Sequence, residues 1–205
     1  MRLGIFGGSF DPVHYGHLLL AECCREALAL DEVWLVPAAQ PPHKQDRRLA
    51  PGKARLEMLE LALADHDQIQ PSAVELSRGG VSYTVDTLEA IRQQRPEAEL
   101  FLLLGADSLR DLPNWRQPQR ILELAVPAAV RRSGSPELDY GVLAGLVPPA
   151  QLESIRQLQV EMPLIDLSST ELRRRARLGL SLRFRTPRAV EEYIRTHGLY
   201  RDAPE

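Results

Sequence analysis

Residues 2–17 read RLGIFGGSFDPVHYGH, and the way this stretch turns decides the fold. Leu3 to Phe6 is a short apolar run with Gly4 inside it, which predicts a buried strand. Behind the loop comes HLLLAECCREALAL, where Leu20, Cys24, Ala27 and Leu28 fall at helical spacing. The chain therefore passes from strand to helix between residues 7 and 17. Gly7 and Gly8 are expected to bend the backbone and to admit a ligand where a Cβ would collide. Pro12 stiffens the loop and delays the helix. His14 and His17 stand three apart across the expected helix start, so on one turn their imidazoles share a side. Free N–H groups and the positive end of the helix dipole add attraction for an anion. Together these features predict a phosphate site.

No Lys-Ser or Lys-Thr follows the glycines and no G-x-G-x-x-G is present, which excludes a P-loop and a dehydrogenase fingerprint. A plain strand–helix turn with two solvated histidines is one alternative. A zinc site is another, since Cys23 and Cys24 lie one helix turn beyond. Adjacent helical cysteines diverge by about 100°, however, and make a poor ligand pair.

Composition bounds the rest. With 205 residues the expectation is a single domain, 1–205, long enough for a full core and carrying a small helical C-terminal portion from about residue 167. A net charge of −3 gives no general basic field for nucleic acid. No apolar stretch is long enough to span a membrane. The opening MRLGIFGG lacks the pattern of a secretory leader, and two neighbouring cysteines suit a reducing compartment. A cytoplasmic location is expected.

Strand and helix signals alternate along the chain. Strands are predicted at Glu32–Val36, Ile69–Leu76, Glu99–Gly105, Val126–Arg131 and Gln157–Met162. Helices are predicted at Lys53–Ala64, Thr84–Gln94 and Gln119–Leu124, with two more in LSSTELRRRARLG and PRAVEEYIRTHG. On the second helix Leu56, Leu59, Ala62 and Leu63 mark the apolar side. ELFLLLG (99–105) is a continuous apolar run, as in a strand covered on both faces. Residues 133–150, rich in Gly, Pro and Ser, read as variable surface. The pattern is α/β: a doubly wound, Rossmann-like parallel sheet with helices on both faces.

Four further stretches carry chemistry. In LSSTELR, Ser168 or Ser169 caps a helix, Thr170 can assist, and Arg173 can point back over the same start toward a polyphosphate. GADSLRDLPNW follows the strong strand, where open α/β sheets bind ligands; Asp107 suits a ribose and Trp115 an aromatic ring. SYTVDTL (82–88) is a polar loop opening a helix. PPHK places His43 and Lys44 to steer an anion. Eight arginines between Arg173 and Arg195 suggest a nucleic-acid patch. Few aromatics accompany them, and Glu171, Glu191 and Glu192 interrupt them, so a phosphate-binding end with a solvated face is the better reading.

Taken together, GGSFDPVHYGH, PPHK, SYTVDTL, GADSLRDLPNW, LSSTELR and TPRAVEEYIRTHGLY resemble the bacterial nicotinate-mononucleotide adenylyltransferases, in order from residue 3 to about residue 200. The HYGH element alone is similar to a wider superfamily of nucleotidyltransferases; SYTVDTL and GADSLRDLPNW narrow it. The resemblance implies transfer of AMP from ATP to nicotinate mononucleotide, with Mg²⁺ held on phosphates and water and no dedicated protein metal site. Nicotinamide mononucleotide or another phosphate acceptor is the alternative. It implies that His14 and His17 are catalytic and that Gly7, Gly8, Ser9, Phe10, His14, His17, Gly105, Asp107, Arg132, Ser169, Thr170 and Arg173 bind ATP. Ser9, Lys44, Tyr83, Thr84 and Trp115 would bind nicotinate mononucleotide. It implies neither a nucleic-acid nor a membrane partner and leaves a homo-oligomer open. Arg116 follows Trp115 where several members carry an aromatic side chain, and Arg132 in RRSGSP stands where the family often shows Arg-Pro-Gly.

Overall fold

The computed structural model describes residues 1–42 and 49–201. Six strands form one parallel sheet: β1 (Arg2–Gly8), β2 (Glu32–Pro37), β3 (Ile69–Pro71), β4 (Glu99–Gly105), β5 (Val126–Arg132) and β6 (Val160–Met162). Their order is β3-β2-β1-β4-β5-β6, with every pairing parallel. The order reverses between β1 and β4. At such a point two connections leave in opposite directions and open a crevice at the carboxyl ends of the strands.

Alternate residues of each strand divide the core in two. Leu3 and Ile5 of β1 face one cluster with Trp34, Val36, Leu100, Leu102 and Leu104. Phe6 faces the other with Val33, Leu35, Phe101 and Leu103. Alternation turns Gly4 to this second side, where a Cβ would stand 2.7 Å from Leu30 Cδ1, so the close packing there needs glycine. On this side pack α1 (Tyr15–Ala27), α2 (Gly52–Ala62), α8 (Ser169–Arg177) and α9 (Arg188–Thr196), through Cys24, Met58, Leu172, Val190 and Ile194. On the opposite side lie α4 (Thr84–Gln94), α5 (Ala106–Asp111), α6 (Pro118–Leu124) and α7 (Pro149–Arg156). α3 (Val74–Arg78) lies between β3 and α4 in the chain.

Several expectations change. The strand predicted at Ile69–Leu76 ends at Pro71, and the chain then forms α3. Val74 and Leu76 alternate like a strand, but so short a run fits either period. Residues 133–150 are not merely surface: Tyr140 and Leu143, in a 3-10 turn, are buried against α5 and α7. Helix α7 itself went unrecognised. β6 begins at Val160, not Gln157. On α2 the buried side is Ala54, Arg55, Met58 and Leu59, so it includes a charged residue and leaves Leu56 half-buried.

Candidate functional site

Two cavities open at the carboxyl ends of β1 and β4. The larger, about 640 Å³, is lined by Gly7, Gly8, Ser9, Tyr83, Thr84, Gly105, Asp107, Trp115 and others. The smaller, about 360 Å³, is lined by Ser9, Phe10, His14, His17, Gly105, Arg132, Ser169, Thr170 and Arg173 among others. Phe6, Ser9 and Gly105 border both. Of the residues expected on ATP, Gly7, Gly8 and Asp107 line only the larger cavity. Tyr83, Thr84 and Trp115, expected on the acceptor, line it with them. His43 and Lys44 fall outside the described residues.

The bend in the loop is not made by the glycines. Gly7 and Gly8 finish β1 in extended backbone, and Gly7 lies open beside the larger cavity. The left-handed residue is Phe10, with φ 45°. A bulky residue holds that conformation only where its surroundings impose it. Here its ring is buried, edge-on to Phe6 at 5.4 Å and to His17 at 5.0 Å between centroids.

His14 is the N-cap of α1 and His17 its third residue. The His14 N–H donates to His17 Nδ1 at 3.3 Å, which leaves the proton of a neutral His17 ring on Nε2. The two rings stack 3.7 Å apart at 17°. His14 is 5% exposed, and burial together with the charge of Arg132 depresses its pKa to about 4. Among the described residues His14 Nδ1, Asp11 Oδ2 and Glu75 Oε2 are buried without a hydrogen-bond partner. Asp11 and His14 line the smaller cavity and Glu75 the larger, and Asp11 Oδ2 stands 3.7 Å from Arg173 Nη1.

The loop between β1 and α1 is held from outside, carbonyl by carbonyl. Arg55 Nη1 donates to Ser9 O at 2.9 Å and Arg173 Nη1 to Asp11 O at 2.7 Å. Ser169 Oγ donates to Pro12 O at 2.9 Å and Thr186 Oγ1 to Val13 O at 2.8 Å. Asp11, 1% exposed, accepts from Tyr200 at 2.8 Å and from Ala50 N at 3.2 Å. Burial raises the Tyr200 phenol, with Asp11 adding to the effect, so it stays protonated and donates. Arg55, Thr186 and Tyr200 escaped sequence reasoning. The one available signal was a lone arginine among the buried positions of α2.

Four helix starts meet here: α1 and α8 at the smaller cavity, α4 at the larger, and α5, whose N-cap Gly105 borders both. Ser168 caps α8, accepting from Glu171 N at 3.2 Å. Arg173 reaches back to Thr170 Oγ1 at 3.1 Å. Tyr83 precedes α4, and Ser82 Oγ accepts from Ala39 N at 2.8 Å, tying α4 to the segment after β2. The smaller cavity thus joins two helix N-termini, two imidazoles and two guanidiniums, a setting for a polyphosphate. The larger offers an indole and an uncapped helix start, a setting for an aromatic ring bearing an anion. Among the described residues no three His, Cys, Asp or Glu side chains converge on a metal-sized point. No helix there is long and apolar enough to cross a membrane.

Comparison with known proteins agrees with this arrangement. Residues 5–175 match the family model described as Cytidylyltransferase-like. A Thermomicrobium roseum protein named "Probable nicotinate-nucleotide adenylyltransferase" is 46% identical over 98% of this chain and 92% of its own. One from Thermus thermophilus with the same name is 47% identical over 98% of this chain and 100% of its own. The structure of Plasmodium falciparum nicotinic acid mononucleotide adenylyltransferase complexed with NaAD superposes with a TM-score of 0.72, over 97% of each chain. At 17% identity that likeness is one of fold.

Proposed function

The chain belongs to the nicotinate-nucleotide adenylyltransferase family, and on that premise we propose that it transfers AMP from ATP to nicotinate mononucleotide, giving deamido-NAD and pyrophosphate. The observation that carries this reading is the meeting of two unlike cavities at Phe6, Ser9 and Gly105. The reaction needs the acceptor phosphate in line with the α-phosphorus of ATP, which sites sharing one border can supply. That phosphate is ionised at neutral pH, so no general base is required. Its oxygen bonds to the α-phosphorus while the bond to the bridging oxygen breaks and pyrophosphate leaves. His14, His17, Arg132, Arg173 and the N–H groups opening α1 and α8 neutralise the charge growing on that leaving group. Ser169 and Thr170 support the same end, and the Phe10 ring backs His17. Trp115 stacks on the pyridine, and N–H groups near Thr84 bind on its anionic side. Gly7, Gly8 and Ser9 let the acceptor approach the backbone, and Asp107 lies where a ribose hydroxyl can donate to it.

A divalent cation fits this chemistry as an ion brought in on ATP oxygens, and Mg²⁺ suits it best, since it gives up water reluctantly and prefers phosphate and water ligands. We read residues 1–205 as one nucleotidyltransferase domain, supported by Leu172, Val190 and Ile194 of the C-terminal helices joining the same core as Phe6. The two free cysteines agree with a cytoplasmic setting. The test is pyrophosphate release from ATP and Mg²⁺ with nicotinate mononucleotide. His14→Ala and His17→Ala should each lower turnover by about 10²-fold while the folded spectrum is kept. Wild-type turnover in either variant would remove the phosphate site from the account.

A further inference from the structure

Arg55 is a buried cation set back from both cavities. It is 2% exposed, on the side of α2 that carries Ala54, Met58 and Leu59 into the core. It is not among the described residues that line either cavity. Taking a guanidinium out of water is costly, and an apolar side chain of similar volume would fill the same space without that cost. Packing alone therefore does not account for it.

Its donors go to irregular backbone. Nε donates to Ala50 O at 3.0 Å and Nη1 to Ser9 O at 2.9 Å. Ala50 N donates in turn to Asp11 Oδ1 at 3.2 Å. These bonds run from Ser9 through Arg55 and Ala50 to Asp11, and so close a ring about Phe10, the residue at φ 45°. The loop is braced on both sides of a conformation that a bulky residue keeps only under constraint. Ser9 borders both cavities, and the Phe10 ring lies 5.0 Å from that of His17. Burial draws the guanidinium below its ordinary pKa, and the negative charges of Asp11 and Glu75 oppose this. Asp11 lines the smaller cavity and Glu75 the larger, so one cation answers a carboxylate from each.

We propose that Arg55 is a positioning residue that sets the Ser9 carbonyl at the border of the cavities and so aligns the two phosphates for transfer, an inference that rests on the adenylyl-transfer reading above. Two carbonyls on separate segments are taken by Nε and Nη1 of one planar group. An ammonium is a point charge without that fixed fork, so lysine cannot replace it. Because Ser9 lies where the cavities meet, a displaced carbonyl disturbs the line of attack more than it weakens either substrate. A misplacement of about 1 Å caused by a residue remote from the chemistry can cost on the order of 10²-fold.

The test uses the full chain, with pyrophosphate release measured at varied ATP and nicotinate mononucleotide and divided by the folded fraction. Arg55→Lys should lower kcat per folded molecule by about 10- to 100-fold, with both KM values changed far less. Arg55→Met fills the space with no charge to bury, and should show the same loss even if the lysine variant does not fold. Met58→Ala, on the same side of α2, removes packing but none of these hydrogen bonds, and should keep kcat per folded molecule. Unchanged kcat in folded Arg55→Lys or Arg55→Met would overturn the proposal. So would an equal loss in Met58→Ala, which would assign the effect to the packing of α2. A wild-type chain that releases no pyrophosphate would overturn the adenylyl-transfer reading itself, and that failure shows before any variant is made.

Discussion

His14 pairs deep burial with a titratable ring, and this has a consequence for stability. Its pKa is about 4 in the folded chain against an ordinary 6.5, with burial the main cause. Between these values the unfolded chain holds a proton that the folded chain does not. Stability from this residue is therefore complete above pH 6.5 and is lost as pH falls toward 4, by up to about 3 kcal/mol. Denaturant unfolding of wild type and His14→Gln between pH 7 and 4.5 checks this, because other acids titrate in both chains. The wild type should lose stability faster; parallel curves would show that the ring is not depressed. In the proposed site ATP phosphates would face this ring and favour its charged form, so ATP binding near pH 5.5 should take up protons, and His14→Gln should abolish most of that uptake. Both histidines were legible from their spacing. Asp11 stood in the same motif, yet its burial and its three partners depend on residues 39 to 189 positions away, which no local pattern reveals.

At the scale of elements, the C-terminal segment works as a splint for the loop. Helix α8 supplies Ser169 and Arg173, the chain before α9 supplies Thr186, and the residues after α9 supply Tyr200. Helices α8 and α9 were readable from caps and periodicity, but their purpose was not, because the contacts that express it are long-range. Tyr200→Phe keeps the ring and removes one hydrogen bond to a buried carboxylate. It should cost about 1.5–3 kcal/mol of stability. The same loosening should raise KM for ATP more than KM for the acceptor, since the loop borders the smaller cavity. Steady-state kinetics with each substrate varied decides this; equal shifts in both would reduce Tyr200 to general packing. The misread strand at Ile69–Leu76 has a similar origin. Glu75, next to its end, looks like the polar partner of an alternating strand, whereas its carboxylate is buried and accepts from Thr87 Oγ1 at 2.6 Å. Only the fold brings Thr87 there.

For the molecule as a whole, parallel order and a reversal between β1 and β4 put the ends of two glycine-terminated strands at one crevice. The alternation of strands and helices made that architecture legible. The partition into two cavities was not, because it depends on where α4, α8 and the loop after β4 come to rest. In the proposed reaction acceptor phosphate and ATP meet directly across the border at Ser9 and Gly105, with no protein nucleophile between them. The most direct measurement is the configuration at phosphorus in the product made from nicotinate mononucleotide and an ATP stereoisomer bearing sulfur on its α-phosphorus. A single in-line displacement predicts inverted configuration in the deamido-NAD analogue. Retained configuration would show that an adenylylated side chain intervenes and would contradict the account.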